Sequence, residues 1–227
     1  MIGLIDSDIL CYRVGFKCED EAESVALATM DSFITDLIME EDLLEVLDFE
    51  YFLTGKDNYR YDYAVTAPYK GNRSSTKKPQ HLQALRDHLV EQWGAVVSVG
   101  EEADDAMSIR QYAEGDNSII ISLDKDLDMV PGWHYNFVKQ RKYYVDRDQG
   151  LYTFYKQILT GDAVDNIKGC YRIGPKKAEV ILSECTTELE MWEACVKTHE
   201  SYERALEDAI LLWMRSKEGE IWQPPTE

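Results

Sequence analysis

The sequence predicts an α/β domain built on a mainly parallel sheet flanked by helices, followed by a largely helical region. Short β-forming runs alternate with runs whose apolar residues recur at helical spacing, which is the pattern of a sheet whose crossovers are helices. Two of the runs end on carboxylates, Asp6 and Asp124, and open α/β sheets place their sites beyond the carboxyl ends of their strands. After about residue 142 the alternation stops.

Ile2 to Ile5 reads as a short buried strand, and Val25, Thr29, Phe33, Ile34, Leu37 and Ile38 then recur at helical spacing, so the first unit is strand then helix. Phe49 to Thr54 is a second strand. Gly55 to Lys78 is polar and basic without apolar periodicity, and reads as a loop or mobile arch. Pro79 opens a helix at a position that tolerates proline; Leu82, Leu85, Leu89 and Val90 face the core, and the helix ends near Trp93-Gly94. Ala95 to Val99 is a third strand, Glu102 to Ala113 a helix, and Ser118 to Leu123 a fourth strand. A hairpin is expected from Tyr143 to Phe154, turning near Asp148-Gln149-Gly150, with helices after it. The expected division is a domain over 1–142, carrying the basic loop at about 55–78, and a second region over 143–227.

A chain of 227 residues buries a substantial core without staples. Its five cysteines include no C-x-x-C pair, which fits neither a disulfide framework nor a zinc site and predicts a reducing compartment. No basic segment followed by a long apolar run opens the chain, and no apolar run would span a bilayer, so a cytoplasmic protein without membrane contact is expected. The formal charge of −19 excludes a general nucleic-acid glue. The charge is unevenly spread: no Lys or Arg lies between Cys18 and Glu50, and the basic residues gather at 56–78, 139–147 and 168–177. Local basic patches on an acidic body can bind nucleic acid; composition alone would make them solvated faces.

Carboxylates recur where surface solubility does not call for them: Asp6 and Asp8; Glu102, Asp104 and Asp105; Asp124, Asp126 and Asp128; Asp162; and Asp165. Oxygen-only sets suit Mg²⁺ or Mn²⁺ rather than zinc. Two such ions about 4 Å apart serve an in-line phosphodiester displacement that needs no protein nucleophile. Glu102 and Asp105 are expected on one helical face, with Asp104 turned to a neighbouring direction. Asp124 to Asp128 is not a calcium loop, because Met129 and Tyr135 stand where an EF-hand needs Gly and Glu. Taken singly, each acidic segment fits a capping or solvated role; their joint arrangement does not.

At this point the sequence resembles a family, the 5′-3′ exonucleases and flap endonucleases, most closely the compact bacteriophage type. Leu159 to Ala178 reads LTGDAVDNIKGCYRIGPKKA and is similar to the family's G-D-x-x-D-N-I-x-G-x-x-x-I-G-x-K-x-A helix-three-turn-helix element. LIDSDILCYR from Leu4, PYKGNR from Pro68, EADD from Glu102 and SLDKDLDMV from Ser122 follow the family's order. The resemblance implies a PIN-like α/β nuclease domain joined to that element, two Mg²⁺ ions with Mn²⁺ able to substitute, and a role in phage DNA replication. Asp6, Glu102 and Asp104 would hold the first metal; Asp105, Asp124, Asp126, Asp162 and Asp165 would hold or orient the second; Asp8 and Asp128 rank lower. Lys70 and Arg73 resemble catalytic or phosphate-steering residues, Tyr69 would stack on a terminal base, and Arg13 and Arg60 are weaker phosphate candidates. The implied partners are DNA with 5′ ends or flaps and RNA–DNA hybrid, acted on by a monomer.

Two features stand on physical grounds beside the resemblance. Basic side chains next to a carboxylate cage can hold a scissile phosphate, and Arg can fork two of its oxygens. Gly169 and Gly174 bracket a turn whose backbone can approach a phosphate or a monovalent cation such as K⁺, and Lys176 and Lys177 open the next helix. One departure is plain: many relatives carry a further metal-linked Asp just after the second strand, where this chain reads Phe52-Leu-Thr54-Gly-Lys56-Asp57. The alternatives are a PIN-type ribonuclease, a DNA mimic, and a catalytically dead scaffold. The duplex-gripping element, the basic PYKGNR segment and the retained carboxylates argue against each in turn.

Overall fold

The computed structural model describes residues 1–226, which divide into two compact units, 1–58 with 77–145 and 59–76 with 146–227. The first unit holds a six-stranded sheet. Its strands are β1 (Ile2–Asp6), β2 (Asp48–Leu53), β3 (Val96–Val97), β4 (Ser118–Ile121), β5 (Gly132–Asn136) and β6 (Arg141–Val145), in the order β3-β2-β1-β4-β5-β6. Every pairing is parallel except β5 with β6. The chain moves to one side of β1 for β2 and β3 and to the other for β4 and β5, so the strand order reverses between β1 and β4. Sites of open α/β sheets form at such a reversal.

Four helices of this unit cover the sheet: α1 (Ser7–Lys17), α2 (Glu23–Ile38), α4 (Leu82–Trp93) and α5 (Ala103–Glu114). Ile5, Tyr51, Leu53, Ile119 and Ile121 share one core with Leu10, Val14, Met30, Ile34, Leu85 and Leu89 of α1, α2 and α4. Side chains alternate along a strand, and Leu4, Phe52 and Ile120, between those positions, are buried as well. There α5 packs against β1, β2 and β4. Arg110 of α5 grips Glu50 of β2 with Nε at 2.9 Å and Nη2 at 2.8 Å from the carboxylate.

In the second unit the short α3 (Arg60–Tyr63) packs against α9 (Tyr202–Leu212), and α6 (Arg147–Thr160), α7 (Pro175–Leu182) and α8 (Glu188–His199) complete a helical body. Phe154, Trp192, Trp213 and Trp222 form its aromatic centre, with ring centroids 4.9–5.5 Å apart from neighbour to neighbour. No helix among the described residues is long and apolar enough to cross a membrane.

Four expectations are corrected. The hairpin lies earlier than Tyr143–Phe154: β5 and β6 form it, and Arg147–Thr160 is helix α6, because Asp146 and Gln149 make a capping box rather than a turn. A helix, α1, follows β1 directly, with Asp6 as its N-cap accepting from Ile9 N–H. Helix α4 begins at Leu82 rather than Pro79, which closes a turn before it, its carbonyl accepting from Leu82 N–H. The segment read as a structureless arch contains α3 and a 3₁₀ turn, Gly71–Ser75.

Candidate metal and phosphate sites

The carboxylates of the first unit gather at the carboxyl ends of β1, β2 and β4. Asp6 ends β1; its Oδ2 accepts from Ser122 Oγ at 2.8 Å and its Oδ1 from Ile9 N–H at 3.3 Å. Ser122 Oγ also receives Asp124 N–H at 3.0 Å, and Asp124 Oδ1 receives Asp126 N–H at 2.9 Å. One hydroxyl therefore ties the first acidic residue to the acidic turn after β4. On the β2 side Thr54 Oγ1 accepts from Ala103 N–H at 3.0 Å, which fixes the start of α5. Glu102 caps that helix: its backbone N–H donates to Asp105 Oδ2 at 3.1 Å, and its Oε1 accepts from Asn58 Nδ2 at 2.7 Å. Asp104 lies in the same first turn. Gly55 is required here, since a Cβ would come within 2.0 Å of Ser98 O.

Asp6, Glu102 and Asp105 are buried, at 4%, 5% and 0% exposure. Burial pushes the Asp6 carboxyl up to about 7 from 3.8, with Ser122 lowering it and Asp8 and Asp124 raising it. Buried carboxylates that raise one another's proton affinity are what a divalent cation relieves, and an all-oxygen set suits Mg²⁺. In that sense the residues fit the ions implied by the family resemblance. As the side chains stand, no three His, Cys, Asp or Glu groups converge on one point among the described residues. Asp8 is otherwise engaged: it accepts from Thr54 N–H and pairs with Arg86. Asp128 Oδ1 accepts from Tyr143 OH at 2.6 Å.

The Asp6 shift has a measurable consequence. The folded form binds this proton more tightly than the unfolded form, so its stabilising share is complete below about pH 4 and is lost as pH rises towards 7. In EDTA the melting temperature is expected to fall from about pH 5 to about pH 8, and Mg²⁺ should raise it more at the higher pH. Burial lifts Asp208 in the second unit to about 7 as well, against Arg204, so it adds a fall of the same sign. Asp208→Asn removes that share and should leave the Mg²⁺ effect intact. A melting temperature indifferent to Mg²⁺ at both pH values would remove the cation from the account of Asp6.

In the second unit the PYKGNR segment is pinned to the loop after α6. Lys70 N–H donates to Asp165 O at 2.9 Å, and Asn166 Nδ2 donates to Pro68 O at 2.9 Å. The Asp165 carboxylate collects Tyr69 OH at 2.8 Å, Lys70 Nζ at 3.7 Å and the Arg73 guanidinium. Lys70 caps the 3₁₀ turn in the left-handed region, φ 54°, and its ammonium lies 5.1 Å from the centre of the Tyr69 ring. Asp162 Oδ1 accepts from Val164 N–H at 2.7 Å, and Asp162 bridges Ile167. Gly161 and Gly169 pass so close that a Cβ on Gly169 would lie 2.2 Å from Gly161 N, at φ 61°. Beyond this turn Gly174 caps α7, and Lys176 and Lys177 are exposed in its first turn.

Two expected nucleic-acid contacts have other geometry. Arg60 is 1% exposed; its Nε and Nη2 donate to Leu211 O at 2.8 Å and Trp213 O at 2.7 Å, which satisfies carbonyls at the end of α9. That is a packing role. Tyr69 is 5% exposed, with its ring edge-on to Tyr61 and its hydroxyl on Asp165, so it braces the loop rather than offering a stacking face. Arg13 is exposed on α1. Sequence reasoning missed Ser122, Asn58, Thr54 and Arg86. Ser122 carries a signal in sequence, a hydroxyl between a buried strand and an acidic turn; Asn58 carries none.

No family model matches the sequence, and no curated protein matches it. Solved structures do share its fold. A T5 5′-exonuclease with divalent zinc bound superposes with a TM-score of 0.69 at 20% identity, over 93% of this chain and 88% of that one. The bacteriophage T5 D15 flap endonuclease in complex with DNA and metal ions gives 0.67 at 20% identity over the same shares. The catalytic core of Rad2 in complex with a DNA substrate gives 0.55 at 14% identity, over 97% of this chain and 79% of that one. With a parallel sheet reversing at β1 and β4 and carboxylates at its carboxyl edge, the chain shares the fold of the T5 5′-exonuclease, the T5 D15 flap endonuclease and the catalytic core of Rad2.

Proposed function

We propose that this chain is a divalent-metal-dependent 5′ nuclease that hydrolyses phosphodiester bonds of DNA from 5′ ends or at 5′ flaps, and of RNA paired to DNA. The observation that carries the reading is that Asp6, the Glu102–Asp105 pair and Asp124 come from three separate segments to the carboxyl edge of one sheet and are held there by Ser122, Asn58 and Thr54. Solubility does not require buried carboxylates tied together by hydroxyls and amides. The T5 and Rad2 proteins of the same fold, crystallised with metal ions or DNA, support the choice of ligand and substrate.

Asp6, Glu102 and Asp104 would hold a first Mg²⁺, and Asp105, Asp124, Asp126, Asp162 and Asp165 would hold or orient a second, with Mn²⁺ able to replace either. When bound, the pair supplies an activated water and stabilisation of the leaving oxygen. Lys70 and Arg73 would hold the scissile phosphate, their donors already set by Asp165. Arg13 would meet backbone phosphate. Residues 161–174, with Lys176 and Lys177, would act as the helix-three-turn-helix grip, reading shape rather than sequence and taking K⁺ at the Gly169–Gly174 turn. The protein would work as a monomer on replicating phage DNA.

The test is single-turnover cleavage of a 5′-labelled duplex bearing a 5′ flap, with Mg²⁺ and with EDTA. Metal-dependent release of short 5′ products supports the reading; folded protein inert in both Mg²⁺ and Mn²⁺ overturns it. Changing Lys176 and Lys177 together to Ala is expected to weaken duplex affinity and to flatten its salt dependence by up to about two in log–log slope. An unchanged slope would put the grip elsewhere.

A further inference from the structure

We infer that Arg86 is a resident cation of the carboxylate cluster, which neutralises Asp8 and thereby sets how tightly the cluster binds a divalent ion. The inference rests on the metal-dependent reading above. Thr54 directly follows β2. Its backbone is clamped from both sides: Thr54 N–H donates to Asp8 Oδ2 at 2.8 Å, and Thr54 O accepts from Arg86 Nη2 at 2.6 Å. Arg86 Nη1 closes the ring on Asp8 Oδ1. Asp8 thus brings a carboxylate to the end of β2, and Arg86 cancels its charge.

The location makes the charge matter. Asp8 follows Asp6 by two residues, so their Cα atoms are within about 7 Å. Thr54, the third member of the clamp, holds the start of α5 through Ala103 N–H, and with it Glu102, Asp104 and Asp105. Arg86 and Asp8 are only 21% and 24% exposed, so solvent screens the pair incompletely. Arg86 is also the only Lys or Arg between Leu82 and Trp93, on an otherwise acidic and neutral helix.

A charge role and a purely structural role differ in sign. If the clamp only positions the backbone, breaking it from either side weakens metal binding. If its charge sets affinity, Arg86→Met exposes the Asp8 charge and tightens binding, whereas Asp8→Asn leaves a guanidinium facing the carboxylates and weakens it. The experiment is Mn²⁺ binding to the metal-free protein, followed by the loss of the free-ion electron paramagnetic resonance signal. It would be run on the wild type, Arg86→Lys, Arg86→Met, Asp8→Asn and the double variant. About tenfold tighter binding for Arg86→Met and about tenfold weaker binding for Asp8→Asn are expected, each change corresponding to roughly 1.4 kcal/mol. Arg86→Lys and the double variant should stay near the wild type. Weakening in both single variants, or no change in either, overturns the inference while leaving the nuclease reading in place. A wild type that binds no Mn²⁺ and cleaves nothing would remove both.

Discussion

Asp126→Ala is expected to lower the single-turnover rate of flap cleavage by at least about 10²–10³-fold while duplex binding in EDTA stays within a few-fold of wild type. The magnitude is that of removing one group that stabilises transition-state charge. The two effects separate because the ligands proposed for the metal and the lysines proposed for the grip are different residues. Asp126 is a useful probe of the acidic turn because its backbone N–H donates to Asp124 Oδ1 at 2.9 Å and Ala keeps that donor. Asp105 is a harder choice: it is fully buried and accepts Glu102 N–H, so Asp105→Ala also breaks the capping box at the start of α5. Equal loss of binding and cleavage in Asp126→Ala, with the melting temperature unchanged, would contradict the separation.

Lys70→Ala is expected to slow the same step by about 10²-fold or more, with little loss of stability. The loop should survive because it is held mainly by groups the substitution leaves alone: Lys70 N–H on Asp165 O, Tyr69 OH on the Asp165 carboxylate, and Asn72 Nδ2 on Ala163 O at 2.7 Å. What is removed is the ammonium that Asp165 holds at 3.7 Å. Lys70→Arg, which restores charge on a different stem, should recover only part of the rate, because a planar fork does not reproduce the geometry of an ammonium. A near-normal single-turnover rate in Lys70→Ala would remove its catalytic role; a matching fall in the melting temperature would make it structural.

Much of this protein is legible in its sequence. The parallel sheet followed from runs such as Ile2–Ile5 and Ser118–Leu123, because strands buried on both faces read as continuous apolar stretches. The acidic residues could be located for the same reason: Asp6 closes β1, and Asp124 lies in the turn that follows β4 at the carboxyl edge of the sheet. Helix α1 escaped because its apolar positions are few and its first turn, Ser7-Asp8, reads as a loop; the N-cap supplied by Asp6 starts it. The misplaced hairpin has a similar origin, since Asp146 and Gln149 are turn-forming types that here form a capping box.

The sequence by itself determined the strand–helix alternation, the strand-end carboxylates and the basic segment near Lys70, because each depends on residue type and local spacing. Only the tertiary structure decided what those groups touch. Arg60 and Tyr69 look like nucleic-acid contacts in a basic loop, yet one satisfies carbonyls at the end of α9 and the other braces Asp165. Ser122 and Asn58 hold Asp6 and Glu102 through bonds spanning 116 and 44 residues, and Arg86 meets Asp8 across 78. A side chain's partner is set by which distant backbone the fold delivers beside it, and in a buried site every donor and acceptor must find one.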